Sequence, residues 1–170
     1  MNKILFIITG SIAASKCKEI ITLLNNKKVK ISCILTKEAK KYVKISDIKK
    51  LLKNKIFHDE DEKKNNMLHI NLSRDNDIIV VCPATANSIA KFANGYGDNL
   101  ASNTLLASNK KILFVPAMNS FMWHNKINQK NVRLLKDSGH EFIGPKVGNL
   151  KCGEFGLGRI ENSKNIVNKI

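Results

Sequence analysis

The octapeptide Pro116-Ala117-Met118-Asn119-Ser120-Phe121-Met122-Trp123 sets an amide, two thioethers and the only tryptophan directly behind the apolar run Ile112 to Val115. Open α/β sheets bind ligands at the carboxyl ends of their strands, so this segment is placed to grip a small molecule. Asn119 can hold a carboxylate through its N–H₂ group or cap a helix. Met118, Met122 and Trp123 read as packing. Downstream, Lys151-Cys152-Gly153-Glu154-Phe155-Gly156-Leu157-Gly158-Arg159 sets a thiol in a run of three glycines, a composition suited to a mobile loop that closes over a ligand. Cys152 there is a candidate proton donor or nucleophile, or a residue of an ordinary loop, and Arg159 would favour its thiolate if the two meet in space. His69, in Leu68-His69-Ile70-Asn71-Leu72, suits acid/base work, although a lone His among apolar neighbours is more often a hydrogen-bonded structural residue.

Two turns offer donors to a phosphate. Gly10-Ser11 opens a helical pattern behind the first apolar run and presents backbone N–H groups and a hydroxyl at a helix start. A purely structural turn is an equal reading, since the segment is neither GxGxxG nor GxxxxGK[ST]. Pro83-Ala84-Thr85-Ala86-Asn87-Ser88 repeats the device with hydroxyls and an amide. The pair favours a mononucleotide with one phosphate.

The elements that must carry these residues alternate. Near-continuous apolar runs at Lys3–Thr9, Val29–Leu35, Asp77–Cys82 and Ile112–Val115 predict buried strands, with His140–Ile143 as a fifth. Helical spacing runs through Ile20, Ile21 and Leu24, then through 86–93, 100–107 and 127–136, the last ending at Gly139. Thr36 is placed to cap a helix carrying Ala39, Tyr42 and Val43, with a further short helix at Ile48–Leu52. His58 to Asn66 is charged and aperiodic and reads as a solvated surface loop. The scheme predicts a three-layer α/β/α sandwich on a mostly parallel sheet. The turns after four strands, at Gly10, Thr36, Pro83 and Pro116, then share one rim.

Length and composition bound the rest. The 170 residues fit one domain, long enough to bury about two thirds of the unfolded surface. No apolar run reaches the ~18 residues of a membrane span, and the opening stretch is too short for a signal peptide. Cys17, Cys33, Cys82 and Cys152 form no CxxC pair, which fits a reducing, cytoplasmic compartment better than a disulfide framework or a metal site. The first three read as core filler. The formal charge of +15 is almost all Lys, spread along the chain, with only Arg74, Arg133 and Arg159 for forked phosphate contacts. That pattern reads as compositional bias rather than a nucleic-acid surface, though the excess still attracts anionic ligands.

Taken in order, the motifs resemble the flavin-dependent cysteine decarboxylases over nearly the whole chain. The resemblance rests on Gly10-Ser11-Ile12-Ala13-Ala14, on His69 in a His-Ile-x-Leu setting, on Pro83–Ser88, on Asn119 within PxMNxxMW and on Cys152 within CGxxGxGR. It implies a flavodoxin-like or Rossmann-like domain that binds FMN and assembles as homotrimers or trimer-based dodecamers, with flavin sites near subunit interfaces. It puts Gly10, Ser11, Ile12, Thr36, Thr85, Ala86, Asn87, Ser88 and Ala117 around FMN. It makes His69 the acid/base, puts Asn119 on the substrate carboxylate beside Met122, makes Cys152 the proton donor, and casts about 145–160 as a substrate clamp.

The implied chemistry is the decarboxylation of 4′-phosphopantothenoylcysteine in coenzyme A biosynthesis. Oxidation of the thiol to a thioaldehyde creates the electron sink that loss of CO₂ needs, and the enethiol is then protonated and reduced. Lys151 and Ile160 depart from the family's frequent Ala and Met. The ligase domain fused to many bacterial relatives does not follow, so the chain reads as either a standalone enzyme or an excised domain. The rivals are a peptidyl-cysteine decarboxylase and a non-catalytic flavin-binding module.

Overall fold

The computed structural model describes residues 3–52, 55–64 and 67–170. The chain runs β1 (Lys3–Ile8), α1 (Cys17–Asn26), β2 (Lys30–Leu35), α2 (Ile45–Leu51), β3 (Ile56–Phe57), α3 (Asp59–Glu62), α4 (Leu68–Arg74), β4 (Ile78–Ala84), α5 (Ala86–Ala93) and α6 (Leu100–Leu106). It continues through β5 (Ile112–Pro116), α7 (Ser120–His124), α8 (Lys126–Asp137), β6 (Glu141–Phe142), β7 (Lys146–Asn149), β8 (Phe155–Arg159) and α9 (Ser163–Lys169). Six strands form one sheet in the order β3-β2-β1-β4-β5-β6, every pairing parallel. This is the doubly wound Rossmann order, whose reversal between β1 and β4 opens a crevice at the strands' carboxyl ends. β7 and β8 form a separate antiparallel hairpin.

Alternation along the strands divides the core. Ile4, Phe6 and Ile8 face a cluster with Ile20, Ile21, Leu24, Ile166 and Val167 of α1 and α9. Leu5 and Ile7 face the other side with Leu72, Ile89, Leu105, Val132 and Leu135 of α4, α5, α6 and α8. A two-residue period on buried strands thus builds both faces of the sandwich that the sequence predicts.

Four details differ from the sequence expectations. The segment after Thr36 is a single 3₁₀ turn, Glu38–Lys41, and the Thr36 hydroxyl donates to the Ile8 carbonyl (3.2 Å) instead of capping it. The strand behind Cys82 runs on through Pro83 and Ala84, where a register shift between Val81 and Ala84 accommodates a residue with no N–H. His58 to Asn66 is no loop throughout, because Asp59–Glu62 forms a helical turn; its last two residues lie outside the described ones. The hairpin, α9 and the two-residue β3 are additional to the elements expected from the sequence.

At the sheet's far edge, Lys111 and Lys169 both hold Glu141, at 2.8 and 2.5 Å, and bring its carboxyl down to about 2. Next to it, burial lowers the pKa of His140, whose ring packs against Phe92 and Phe114. Both shifts act in one direction. A depressed carboxylate adds stability above its unfolded value that is lost as pH falls toward 2, and a depressed imidazole withdraws stability as pH falls through its unfolded range near 6.5. Urea midpoints should therefore drop in two stages on acidification. Glu141→Gln should shrink the stage below about pH 4.5 and spare the one near 6; the decrease is partial, because Glu19, Glu38, Asp47, Glu60, Asp61 and Asp98 are also held below their ordinary values, and small, because the Glu141 carboxylate is a third exposed and salt-screened. A wild-type profile flat below pH 4.5 would contradict the assignment.

Candidate functional site

A cleft of about 1020 Å³ opens where the loops behind β1, β2, β4 and β5 meet, at the top of the ~300–1,000 Å³ range of ligand pockets. Thr9, buried at the end of β1, donates its hydroxyl to the Pro83 carbonyl at 2.6 Å and fixes the gap between β1 and β4. Ser11 caps the 3₁₀ turn Ile12–Lys16 by accepting the Ala13 N–H. A Cβ on Gly10 would collide with the Glu38 side chain, so this turn and the one behind β2 lie against each other only because residue 10 has none.

Behind β4, the Thr85 hydroxyl accepts the Ser88 N–H at 3.1 Å as N-cap of α5, and the Ser88 hydroxyl donates to the Thr85 carbonyl at 2.9 Å. Thr85, Ala86, Asn87 and Ser88 thus line the cleft at a helix N-terminus, where N–H groups and the dipole favour an anion. Gly10, Ser11, Ile12, Thr36, Ala117, Asn119, Met122 and Cys152 line the same cleft. Met122 is half-exposed there rather than packed in the core, while Met118 and Trp123 do pack against it.

Asn119 caps a helix with one end of its amide and meets a carboxylate of the protein itself with the other. Its oxygen accepts the Met122 N–H at 2.8 Å as N-cap of α7, and its nitrogen donates to the Glu154 carboxylate at 3.4 Å. The Cys152 thiol donates to that same Glu154 oxygen, also at 3.4 Å. Amide and thiol therefore converge on one carboxylate, although they lie 33 residues apart in a chain of 170. The sequence reading does not single out Glu154; its place two residues behind Cys152 in a glycine-rich loop is the available signal. Arg159 also lines the cleft, but the hydrogen-bond partner of Cys152 is Glu154.

The four thiols divide as their burial dictates. Burial pushes Cys33 up to about 12. Burial, then the hydrogen bond with Cys82, holds Cys17 well above its ordinary value. Cys82 is buried, and only Cys152 is exposed. His69 stands apart: it is half-buried on α4, paired with Glu62, and is not among the residues that line the cleft of its own chain. Among the described residues, no helix is long and apolar enough to cross a membrane.

The donor set fits a flavin mononucleotide. Two helix-opening turns with hydroxyls suit one phosphate, and Ile12, Ala117 and Met118 offer apolar walls to a flat ring. The family model described as Flavoprotein matches residues 1–170. A probable phosphopantothenoylcysteine decarboxylase from Streptococcus mutans is 33% identical over 99% of this chain and 97% of its own. The bifunctional coenzyme A biosynthesis protein CoaBC of Bacillus subtilis is 33% identical over 98% of this chain, which spans only 41% of that longer protein. Among solved structures, a PPC decarboxylase variant complexed with pantothenoylaminoethenethiol superposes with a TM-score of 0.88 at 28% identity, covering 99% of this chain and 95% of its own. The FMN-binding protein AtHal3 does so with a TM-score of 0.85 at 28% identity, over 99% and 94%.

A thiol-alkylating reagent applied to the folded protein should modify Cys152 first, and Cys152→Ser should abolish the fast phase while denaturation exposes the other three. A second thiol reacting at a comparable rate in the native protein would contradict this division.

Proposed function

The chain belongs to the Flavoprotein family, and from that premise we propose that residues 1–170 form one FMN-binding domain that decarboxylates 4′-phosphopantothenoylcysteine to 4′-phosphopantetheine. The observation that carries this reading is the Glu154 carboxylate held between Asn119 and Cys152, since a cysteinyl carboxylate offers the same acceptor to the same two donors. The α5 N-terminus with Thr85 and Ser88, and the Gly10-Ser11 turn, hold the cofactor's phosphate and ring. A flavin held there would supply reversible two-electron chemistry, the electron sink that loss of CO₂ from a cysteinyl carboxylate needs.

The protein's own groups do the rest. Asn119 anchors the departing carboxylate, and because its oxygen is committed to capping α7, its nitrogen must face the substrate. Cys152 delivers the proton to the enethiol carbon. The hairpin of β7 and β8 covers the substrate and excludes water. Lys151 and Arg159 line the cleft and form no ion pair among the described residues, which favours a substrate with an anionic phosphate over a peptide's tail.

His69 completes the site from a neighbouring copy. Two observations support a homo-oligomer, a trimer or a trimer-based dodecamer: His69 lies outside its own chain's cleft, and Phe121, Ile127 and Phe155 are each more than 70% exposed. The four unpaired cysteines support action in the cytoplasm.

Purified protein should carry an oxidised-flavin spectrum and release CO₂ from 4′-phosphopantothenoylcysteine faster than from a peptide ending in Cys. Flavin without turnover on either would leave a binding module instead. Cys152→Ser should keep its flavin and still release CO₂ but accumulate the enethiol, and normal reduced product would remove Cys152 from the proton-donor role. Asn119→Asp sets a carboxylate against a carboxylate, and turnover should fall on the order of 10²–10³-fold. Wild-type rates would end the anchor assignment.

A further inference from the structure

The run Asp59-Glu60-Asp61-Glu62 puts four acids on one helical turn, a repulsive arrangement unless each is answered. Asp59 accepts the Leu100 N–H of α6 at 3.1 Å, and Glu60 lies 3.8 Å from the Lys40 ammonium. Asp61 accepts from the Lys55 ammonium and from the His58 N–H, each at 2.9 Å. Glu62 is hydrogen-bonded to His69 twice over: Oε2 accepts the backbone N–H at 3.2 Å, and Oε1 pairs with the ring's Nδ1.

We propose that Glu62 is the positioning residue of His69, fixing the tautomer and direction of its ring for proton transfer. The inference rests on the acid/base role given to His69 above. An ionised carboxylate only accepts, so the ring nitrogen that faces it carries the hydrogen, and Nε2 on the outer edge keeps its lone pair. The backbone N–H of His69 belongs to the first turn of α4, where no intrahelical partner is available, so the same carboxylate anchors the residue at its root. The ring is thereby held at two points. Both side chains are only about a quarter exposed, 27% and 23%, which limits competition from water. α3 itself is tied down, because Asp59 at its other end lines the cleft and binds the first N–H of α6. One helical turn therefore references the imidazole to the wall of the cleft.

A mere capping role would make a different pattern, and two variants of the flavin-loaded oligomer separate them. Glu62→Ala should keep its flavin content and change KM by less than about twofold, while kcat falls at least ~10-fold. Nitrogen NMR of the imidazole should report Nδ1–H in the wild type and a shift toward Nε2–H in Glu62→Ala. Glu62→Gln offers one acceptor oxygen where the carboxylate uses two, so kcat should follow the tautomer: with Nδ1–H kept most of kcat should return, and with a shift to Nε2–H the variant should be as slow as Ala. Full kcat in Glu62→Ala, persistence of its Nδ1–H form, or a Glu62→Gln that folds and keeps the tautomer yet is as slow as Ala would each overturn the inference. His69→Asn distinguishes its failure from that of the premise. Normal turnover there removes His69 from the chemistry, whereas an inactive His69→Asn beside a fully active Glu62→Ala removes only Glu62.

Discussion

The cleft depends on two backbones meeting at Gly158 and Met118. A Cβ on residue 158 would run into the Met118 carbonyl, and the Gly158 carbonyl accepts the Met118 N–H at 3.0 Å. Gly156 has the same relation to Ser120, the first residue of α7, whose hydroxyl would stand 2.8 Å from any Cβ placed there. Two glycines two residues apart on β8 therefore present a bare edge to the β5 loop. That approach lets the hairpin lie flat on the segment carrying Asn119, and it carries Cys152 and Glu154 to the amide. Any side chain at position 158 would lift the hairpin and separate the groups whose convergence defines the site.

The sheet could be read from the sequence because its strands are buried on both faces. Runs such as Lys3–Thr9 and Ile112–Val115 are apolar at nearly every position, a signal that needs no partner to interpret. Cleft positions followed from the fold, since four turns at the carboxyl ends of parallel strands must share a rim. The hairpin stayed hidden for the opposite reason. Phe155-Gly156-Leu157-Gly158-Arg159 has glycines where strand propensity demands side chains, and those glycines are explained only by α7 and the β5 loop, neither of which is local. α9 is not legible because its seven residues carry only Ile166 and Val167 as apolar residues into the core, too few for a period to emerge.

The acidic turn of α3 teaches the same lesson about charge. Four successive acids read as solvated because the sequence does not show which distant groups answer them. Asp61 finds local partners in His58 and Lys55, but those of Asp59, Glu60 and Glu62, namely Leu100, Lys40 and His69, lie 7 to 41 positions away and arrive through the fold. A charge run alone thus says little about solvation in an α/β sandwich, where the helix following one strand lies beside the turn following another.

The same separation bears on how proton transfer is organised. Asn119 and Cys152 reach the cleft on the β5 loop and the hairpin, whereas His69 sits on α4 with its carboxylate partner on α3, outside that cleft. Under the proposed role, His69 would act on substrate held by another copy, and a group used in that way needs a geometry set before assembly. Glu62 meets that need from within the chain, since its bonds to His69 do not depend on any neighbour. In the proposed oligomer the imidazole would be oriented by the fold of one subunit, and association would have only to deliver it rather than to shape it.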